Sequence, residues 1–269
     1  MNIKSIIIVL GEPYSTFSEI IGKYFSKNKK FKKKIILIGN KELLKTQLKK
    51  LNYNLEFNEI NKYEEAKKNL INIIDIKFKY KKAFSKILKK SNEYIKNCFI
   101  KSLEIIKNQK NKCILINGPI SKKAFLKKKY SGITEYLSRK TNSKNEIMLI
   151  YNNKISVSPL TTHIPIKFVN DNIRKNKIYK NITSLKNFYT TVLKQKFSCA
   201  ILGLNPHCET TDKFSEEEKI IIPSIRNLKK KGIKVDGPFS ADTFFLENNL
   251  KKYNVVIGMY HDQVLTPIK

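Results

Sequence analysis

The chain has 269 residues, 41% of them hydrophobic and 28% charged, with a formal net charge of +32. That is enough apolar material for one large domain or two smaller ones, and no apolar stretch reaches the roughly 18 to 20 residues of a membrane-spanning helix. Arginine occurs only at Arg139, Arg174 and Arg226; nucleic-acid readers favour its planar fork, so the lysine-dominated charge reads as a solvated surface and nucleic acid is not the expected partner.

The opening "MNIKSIIIVLGEP" runs straight into a turn and carries no small-residue cleavage site. It reads as a first buried strand and not as a signal peptide. A second strand follows at "KIILIG" (34–39), and "YSTFSEIIGKYFSKN" between them suits a crossover helix. Residues 83–107 place Phe84, Ile87, Leu88, Ile95, Phe99, Leu103 and Ile106 at helical spacing, with lysines opposite. "KCILING" (112–118) is another buried strand, ending in a Gly-Pro turn, and "SKKAFLKKKY" is a short helix.

The pattern then changes, and a domain boundary falls within 120–145. Residues 145–165 read as two strands around an Asn-Asn turn, the second ending at His163. "SCAILGLNPH" is a strand ending at His207, and "VVIGMYH" a strand ending at His261. Between these, "EEEKIIIPSIRNLKKKGI" is a helix interrupted near Pro223, because proline removes a backbone donor. Strands alternating with helices predict an α/β protein. The four scattered cysteines, Cys98, Cys113, Cys199 and Cys208, form no CxxC pair and predict a reduced, cytoplasmic protein.

The chain has three histidines, and each follows an apolar run. Ligand sites of open α/β sheets gather beyond the carboxyl ends of strands. Three imidazoles delivered there, with positions left for water or substrate, match a catalytic metal site. Asp242, in "DGPFSADTFF", is placed to orient a ligand, touch the metal or cap a helix. In the His-Asp-Gln cluster 261–263, Asp262 either holds an imidazole in one tautomer or caps the next segment. Glu216, Glu217 and Glu218 read as a solvent-facing charge run opening a helix.

In order along the chain, "INGPISKKAF", "SGITEYLS", "LTTHIP", "LNPHCE…EEEKIIIPSIRNLKKKGIKVDGPFSADTFF" and "MYHDQVLTPIK" resemble the 4-hydroxythreonine-4-phosphate dehydrogenase family of pyridoxal 5′-phosphate (vitamin B6) synthesis. The resemblance implies an isocitrate/isopropylmalate-dehydrogenase-like α/β fold, with two α/β/α domains, here 1–130 and 131–269, and a cleft between them. It implies a homodimer with a shared active site, NAD or NADP as cofactor, and a divalent metal (Zn, Co or Mg) on His163, His207 and His261. Thr134 and Lys269 would contact the phosphorylated substrate, and Asp242 and Lys269 are the candidate catalytic residues. The implied reaction is oxidation of the C3 hydroxyl of 4-phosphooxy-L-threonine, followed by decarboxylation to 3-amino-2-oxopropyl phosphate. Alternatives are a dehydrogenase of a related phosphorylated hydroxy acid and a catalytically silent metal-binding homologue.

Three departures from the family pattern stand out. The N-terminal loop reads "GEPYSTFSEI", with Glu12 for aspartate and Ser15 and Phe17 at glycine positions, which predicts a re-shaped turn. Family members continue past Lys269 with further substrate, dinucleotide and first-domain segments, so the chain reads as truncated. Ile133 stands where the family has a substrate-binding histidine, and isoleucine cannot donate to an anion. Ile133→His is therefore expected to tighten binding of 4-phosphooxy-L-threonine in a direct titration; unchanged or weaker affinity would remove that role.

Overall fold

Parallel pairing organises the first half of the chain. The computed structural model describes residues 3–86, 91–109, 112–126, 130, 132–143, 146–152, 154–208 and 215–268. Within them β1 (Ser5–Val9), β2 (Lys34–Gly39), β3 (Asn58–Glu59), β4 (Ile71–Asp75) and β5 (Cys113–Asn117) form a sheet in the order β3-β4-β2-β1-β5. Every neighbouring pair is parallel. Parallel sheets are covered on both faces, and Ile7, Val9, Ile36, Leu37, Ile38 and Ile73 are fully buried, but the edge strand β5, expected to be buried, leaves Ile114 39% and Ile116 43% exposed. The helices of this unit are α1 (Phe17–Lys27), α2 (Lys41–Lys50) and α3 (Ser91–Asn108). Ile21 and Phe25 of α1 join Leu37, Leu44 and Leu48 in one core cluster, while Lys23 and Lys27 stay in water.

Three elements of this unit, α2, β3 and β4, were not anticipated. α2 is lysine-rich, but Asn40 Oδ1 caps it by accepting from Leu43 N at 2.9 Å. β4 carries Asn72, a fully buried polar residue. Its amide donates to the Ile35, Lys67 and Leu70 carbonyls and accepts from Lys67 N and Asn58 Nδ2, at 2.8–3.1 Å. The helix predicted over 83–107 is observed from Ser91. Residues 83–86 are not helical and 87–90 lie outside the described residues. The Ala83 carbonyl accepts instead from Gln47 Nε2 at 2.9 Å, a tertiary bond in place of a helical one. In the N-terminal loop Glu12 is buried, accepting from Ser91 Oγ at 3.1 Å, and burial raises its carboxyl above the usual carboxylate range.

The chain divides into two units, Met1–Ile133 and Thr134–Lys269. α4 (Ile133–Thr141) begins at the division. The second unit continues with β6 (Ser156–Pro159), α5 (Lys175–Asn187), β7 (Cys199–Leu202), α6 (Ile222–Lys230), β8 (Val235–Phe239), α7 (Ala241–Phe244), α8 (Glu247–Leu250), β9 (Val255–Gly258) and α9 (His261–Leu265). Its strands run parallel in the order β6-β9-β7-β8. Alternation splits them between two cores. Cys199, Ile201, Val255 and Ile257 share one with Ile178 and Ile182 of α5 and Ile225 and Leu228 of α6. Ala200, Leu202, Val157 and Val256 share the other with Phe244 and Val264.

The first of the two strands predicted over 145–165 is reduced to one antiparallel bridge, Ile150 to Val157. Ser158 Oγ donates to the Met148 carbonyl at 2.7 Å, so a side chain stands in for the ladder. The interruption predicted near Pro223 is a π-turn, Glu217–Ile221, running into α6. Pro223 itself sits in the first turn of α6, where its missing N–H costs nothing. Among the described residues no helix is long and apolar enough to cross a membrane. Asn72→Ala strips buried backbone groups of their partners and is expected to cost about 2–3 kcal/mol, read as a lower urea midpoint at unchanged slope.

Candidate functional site

The order β6-β9-β7 makes the three histidine-bearing strands immediate neighbours, all pointing the same way. Their carboxyl ends therefore open on one edge of the sheet. His163 follows β6, His261 opens α9 just after β9, and His207 follows β7. The backbone sews these ends together. Leu160 N donates to the Gly258 carbonyl at 2.8 Å, and Thr161 donates to the Met259 carbonyl from N at 3.1 Å and from Oγ1 at 2.7 Å. On the other side of β9, Gln263 Oε1 accepts from Met259 N and its Nε2 donates to the Gly203 carbonyl, each at 2.7 Å. A Cβ on Gly258 would meet Gln263 Oε1 at 2.9 Å and Val264 at 2.4 Å, so the turn needs glycine there.

The imidazoles of His163 and His261 face each other with centroids 5.5 Å apart and planes tilted by 42°. His261 Nδ1 lies 2.7 Å from Asp262 Oδ1. His207 is placed differently: its Nδ1 is 3.4 Å from Asp242 Oδ2. Asp242 also accepts from the Ser240 hydroxyl. That hydroxyl, with the nearby His207, holds the carboxyl below the usual aspartate range. His207 and Cys208 both take left-handed backbone, each at φ +57°. Such residues cluster where surrounding structure overrides local preference.

Glu217 supplies that structure, and here the expectation of a solvent-facing charge run fails. Glu217 is 1% exposed. Its Oε1 accepts from Leu204 N (2.7 Å) and Asn205 N (2.9 Å), and its Oε2 from Asn205 Nδ2 (2.7 Å). It thus grips the loop that carries His207. Burial pushes the carboxyl up, but the hydrogen bonds from Asn205 and Leu204 outweigh it and leave the group below the usual glutamate range. The π-turn at Glu217–Ile221 aims this acid inward; a plain helical reading of "EEEK" carries no sign of it.

The pyridoxal phosphate biosynthetic protein PdxA family matches residues 31–269 of the chain. A 4-hydroxythreonine-4-phosphate dehydrogenase of Sulfurihydrogenibium sp. (strain YO3AOP1) is 33% identical, over 97% of this chain and 81% of that protein. A D-threonate 4-phosphate dehydrogenase of Salmonella typhimurium is 29% identical, over 100% of this chain and 84% of that protein. A solved Salmonella typhimurium structure, described as a 4-hydroxythreonine-4-phosphate dehydrogenase, superposes with a TM-score of 0.83 at 27% identity, over 98% of this chain and 84% of that one.

The chain belongs to the PdxA family.

It is therefore a member of a dehydrogenase family, with the α/β, isocitrate-dehydrogenase-like fold that the resemblance implied. Two imidazoles on one tetrahedral ion, at the usual distance of about 2.0–2.1 Å, hold their ring centroids roughly 5 Å apart. The His163–His261 pair of this PdxA-family chain fits that spacing. Asp262 occupies Nδ1 of His261 and leaves Nε2 free as a ligand atom. His207 does not close the set: among the described residues no three of His, Cys, Asp and Glu gather into a metal cage. Burial raises the Cys208 thiol above the usual range. Thr134 and His163 border one pocket of about 530 Å³, lined throughout by residues of the second unit. Lys269 lies outside the described residues. Sequence reasoning assigned no role to Thr161 or Gln263 and placed Glu217 in solvent; only Gln263 had a visible signal, its place in the 261–263 cluster.

Glu217→Gln keeps the shape and removes the charge that three donors address. It is expected to destabilise the second unit by about 1–3 kcal/mol and to loosen Leu204 and Asn205 in amide exchange. Because the folded carboxyl is depressed, its contribution is present above the unfolded glutamate value of about 4.3 and lost as pH falls through the lower folded value. The Leu204 and Asn205 amide shifts should titrate below that value in the wild type and stay flat in the variant.

Proposed function

We propose that this chain is a divalent-metal-dependent, NAD(P)-linked dehydrogenase of 4-phosphooxy-L-threonine, yielding 3-amino-2-oxopropyl phosphate and CO2. The observation that carries the reading is the paired His163 and His261 at the carboxyl edge of adjacent parallel strands in a PdxA-family chain. Substrate carboxylate and NAD(P)+ become aminoketone phosphate, CO2 and NAD(P)H. The proton released by the oxidised hydroxyl balances the one taken up by carbon when CO2 leaves.

His163 and His261 would hold a zinc, cobalt or magnesium ion, which would supply Lewis acidity to the reacting oxygen. Asp262 keeps the Nδ1 proton on His261, which fixes the ring and its open nitrogen. Asp242, ionised at neutral pH, orients His207 through Nδ1 and holds the third imidazole ready for the same ion. The side chain of Thr134 offers a hydroxyl donor at the pocket mouth. The arm after His163 exposes Ile164 (36%), Ile166 (75%) and Phe168 (46%), which supports a second copy covering this face and completing a shared site.

A second reading is favoured by relatives named D-threonate 4-phosphate dehydrogenase, which match 100% of this chain and 84% of their own length. That substrate carries a hydroxyl where 4-phosphooxy-L-threonine carries an amine. Dinucleotide reduction measured with each substrate, before and after chelation, tests both. Chelation and His207→Ala are each expected to lower turnover at least about 100-fold, restored in the first case by added metal. Full turnover in the chelated protein would sink the metal mechanism, and preference for D-threonate 4-phosphate would select the second reading.

A further inference from the structure

The pocket beside His163 continues along one face of α5, where the reading above has assigned no residue. Arg174, Lys177 and Asn181 follow at helical spacing and line it, with Lys180 beside them. Arg174 is one of only three arginines among 54 basic residues, so a guanidinium here is not a sample of the general lysine surface. Among the described residues none of the three cations forms an ion pair, although Glu135 and Glu146 border the same pocket. Lys177 is an exposed residue, yet partial desolvation and the Arg174 charge hold its ammonium below the usual lysine range. An arriving anion relieves that repulsion.

Asn181 is the independent sign of a ligand. It is 8% exposed, and its Oδ1 has no hydrogen-bond partner. A buried amide is ordinarily satisfied. With nothing fixing its orientation, the carboxamide can turn and present Nδ2 to the pocket as a donor. Guanidinium, ammonium and amide donors on one wall match the oxygens of a phosphate ester, which Arg engages through its fork and Lys as a point charge.

We propose that this pocket is a phosphoryl-anion site, with Arg174 and Lys177 as its charged contacts and Asn181 as its buried polar contact. It rests on the dehydrogenase reading only for its occupant, which is either the substrate's phosphate ester or a phosphate of the dinucleotide. Because the pocket starts at His163 and Thr134, the bound phosphate sets how far the rest of the molecule extends toward the imidazole pair.

Calorimetric titration of the full chain with inorganic phosphate, at constant ionic strength, tests the site without turnover. Saturable binding is expected, weakened at least tenfold in Arg174→Ala/Lys177→Ala. Lys175→Ala/Lys186→Ala removes an equal charge from α5 but not from this pocket, and should leave phosphate affinity within twofold. Equal losses in both would reduce the effect to general surface charge and overturn the site. Steady-state kinetics then identify the occupant: a raised KM at near-constant kcat for the phosphorylated substrate marks the ester, and for the dinucleotide marks its phosphate. Phosphate binding and both KM values unchanged in Arg174→Ala/Lys177→Ala would refute the proposal. A chain that binds phosphate through these residues yet reduces no dinucleotide would instead defeat the dehydrogenase reading and leave this site standing. Matching thermal unfolding of the variants and wild type excludes a folding defect as the cause.

Discussion

The carboxamide of Gln263 joins two of the three loops on which the candidate site depends. One end accepts from Met259, at the turn after β9; the other donates to Gly203, at the start of the loop after β7. Leu160 and Thr161 make the matching connection from β6. Neighbouring strands lie about 4.8 Å apart, so side chains leaving adjacent strand ends come within reach of one another, whereas those two strands apart are separated by roughly twice that distance. Adjacency alone does not select the pair, because β9 neighbours both β6 and β7: the rings of His163 and His261 meet, while His207, on its left-handed segment after β7, meets Asp242 instead. Within one chain the geometry is a pair and a single, and the single carries its own orienting carboxylate.

The polar groups around this edge are secured by burial beneath it. Glu217 sits almost wholly out of water, where an unpaired carboxylate would be costly. Backbone and amide donors of the 204–205 segment offset that cost, and in return the acid ties that segment down. The left-handed backbone at His207 and Cys208 is tolerated because the segment before it is held this way. Two of the four cysteines are core packing: burial raises the Cys98 thiol to about 12, and Cys199 is fully enclosed in the core that includes α5 and α6.

The sequence pattern revealed β7 and β9 because each is a continuous apolar run, as a two-sided parallel sheet requires, whereas β6 reads Ser-Val-Ser-Pro and shows mainly through its buried small residues. It failed where a polar residue sits inside an element. Asn72 breaks the apolar run of β4, and the lysines of α2 hide Leu43, Leu44 and Leu48. Residues 83–86 have helical spacing, but a tertiary bond from Gln47 claims the Ala83 carbonyl. The histidines were legible as strand-end ligands by position alone. Which of them would meet was not, because strand order is absent from the linear pattern: β9, last in sequence, lies between β6 and β7. Glu217 was misread for a related reason, since a π-turn shifts by one residue the face on which a helical acid projects.

That central place of β9 has a consequence for how the protein is made. Ser156 pairs with Val255 and Cys199 with the same residue, so each of these ladders spans a large fraction of the second unit. Until residues 255–258 have left the ribosome, β6 and β7 have no strand between them, and each presents an unpaired edge. Closure of the sheet is then one non-local step, the slow kind for which loop entropy must be overcome before contacts form. The same insertion brings His261 beside His163 and sets Gln263 between the loops, so during synthesis sheet completion and site assembly are a single event, and the exposed edges of β6 and β7 are the part of the nascent chain most in need of protection from aggregation.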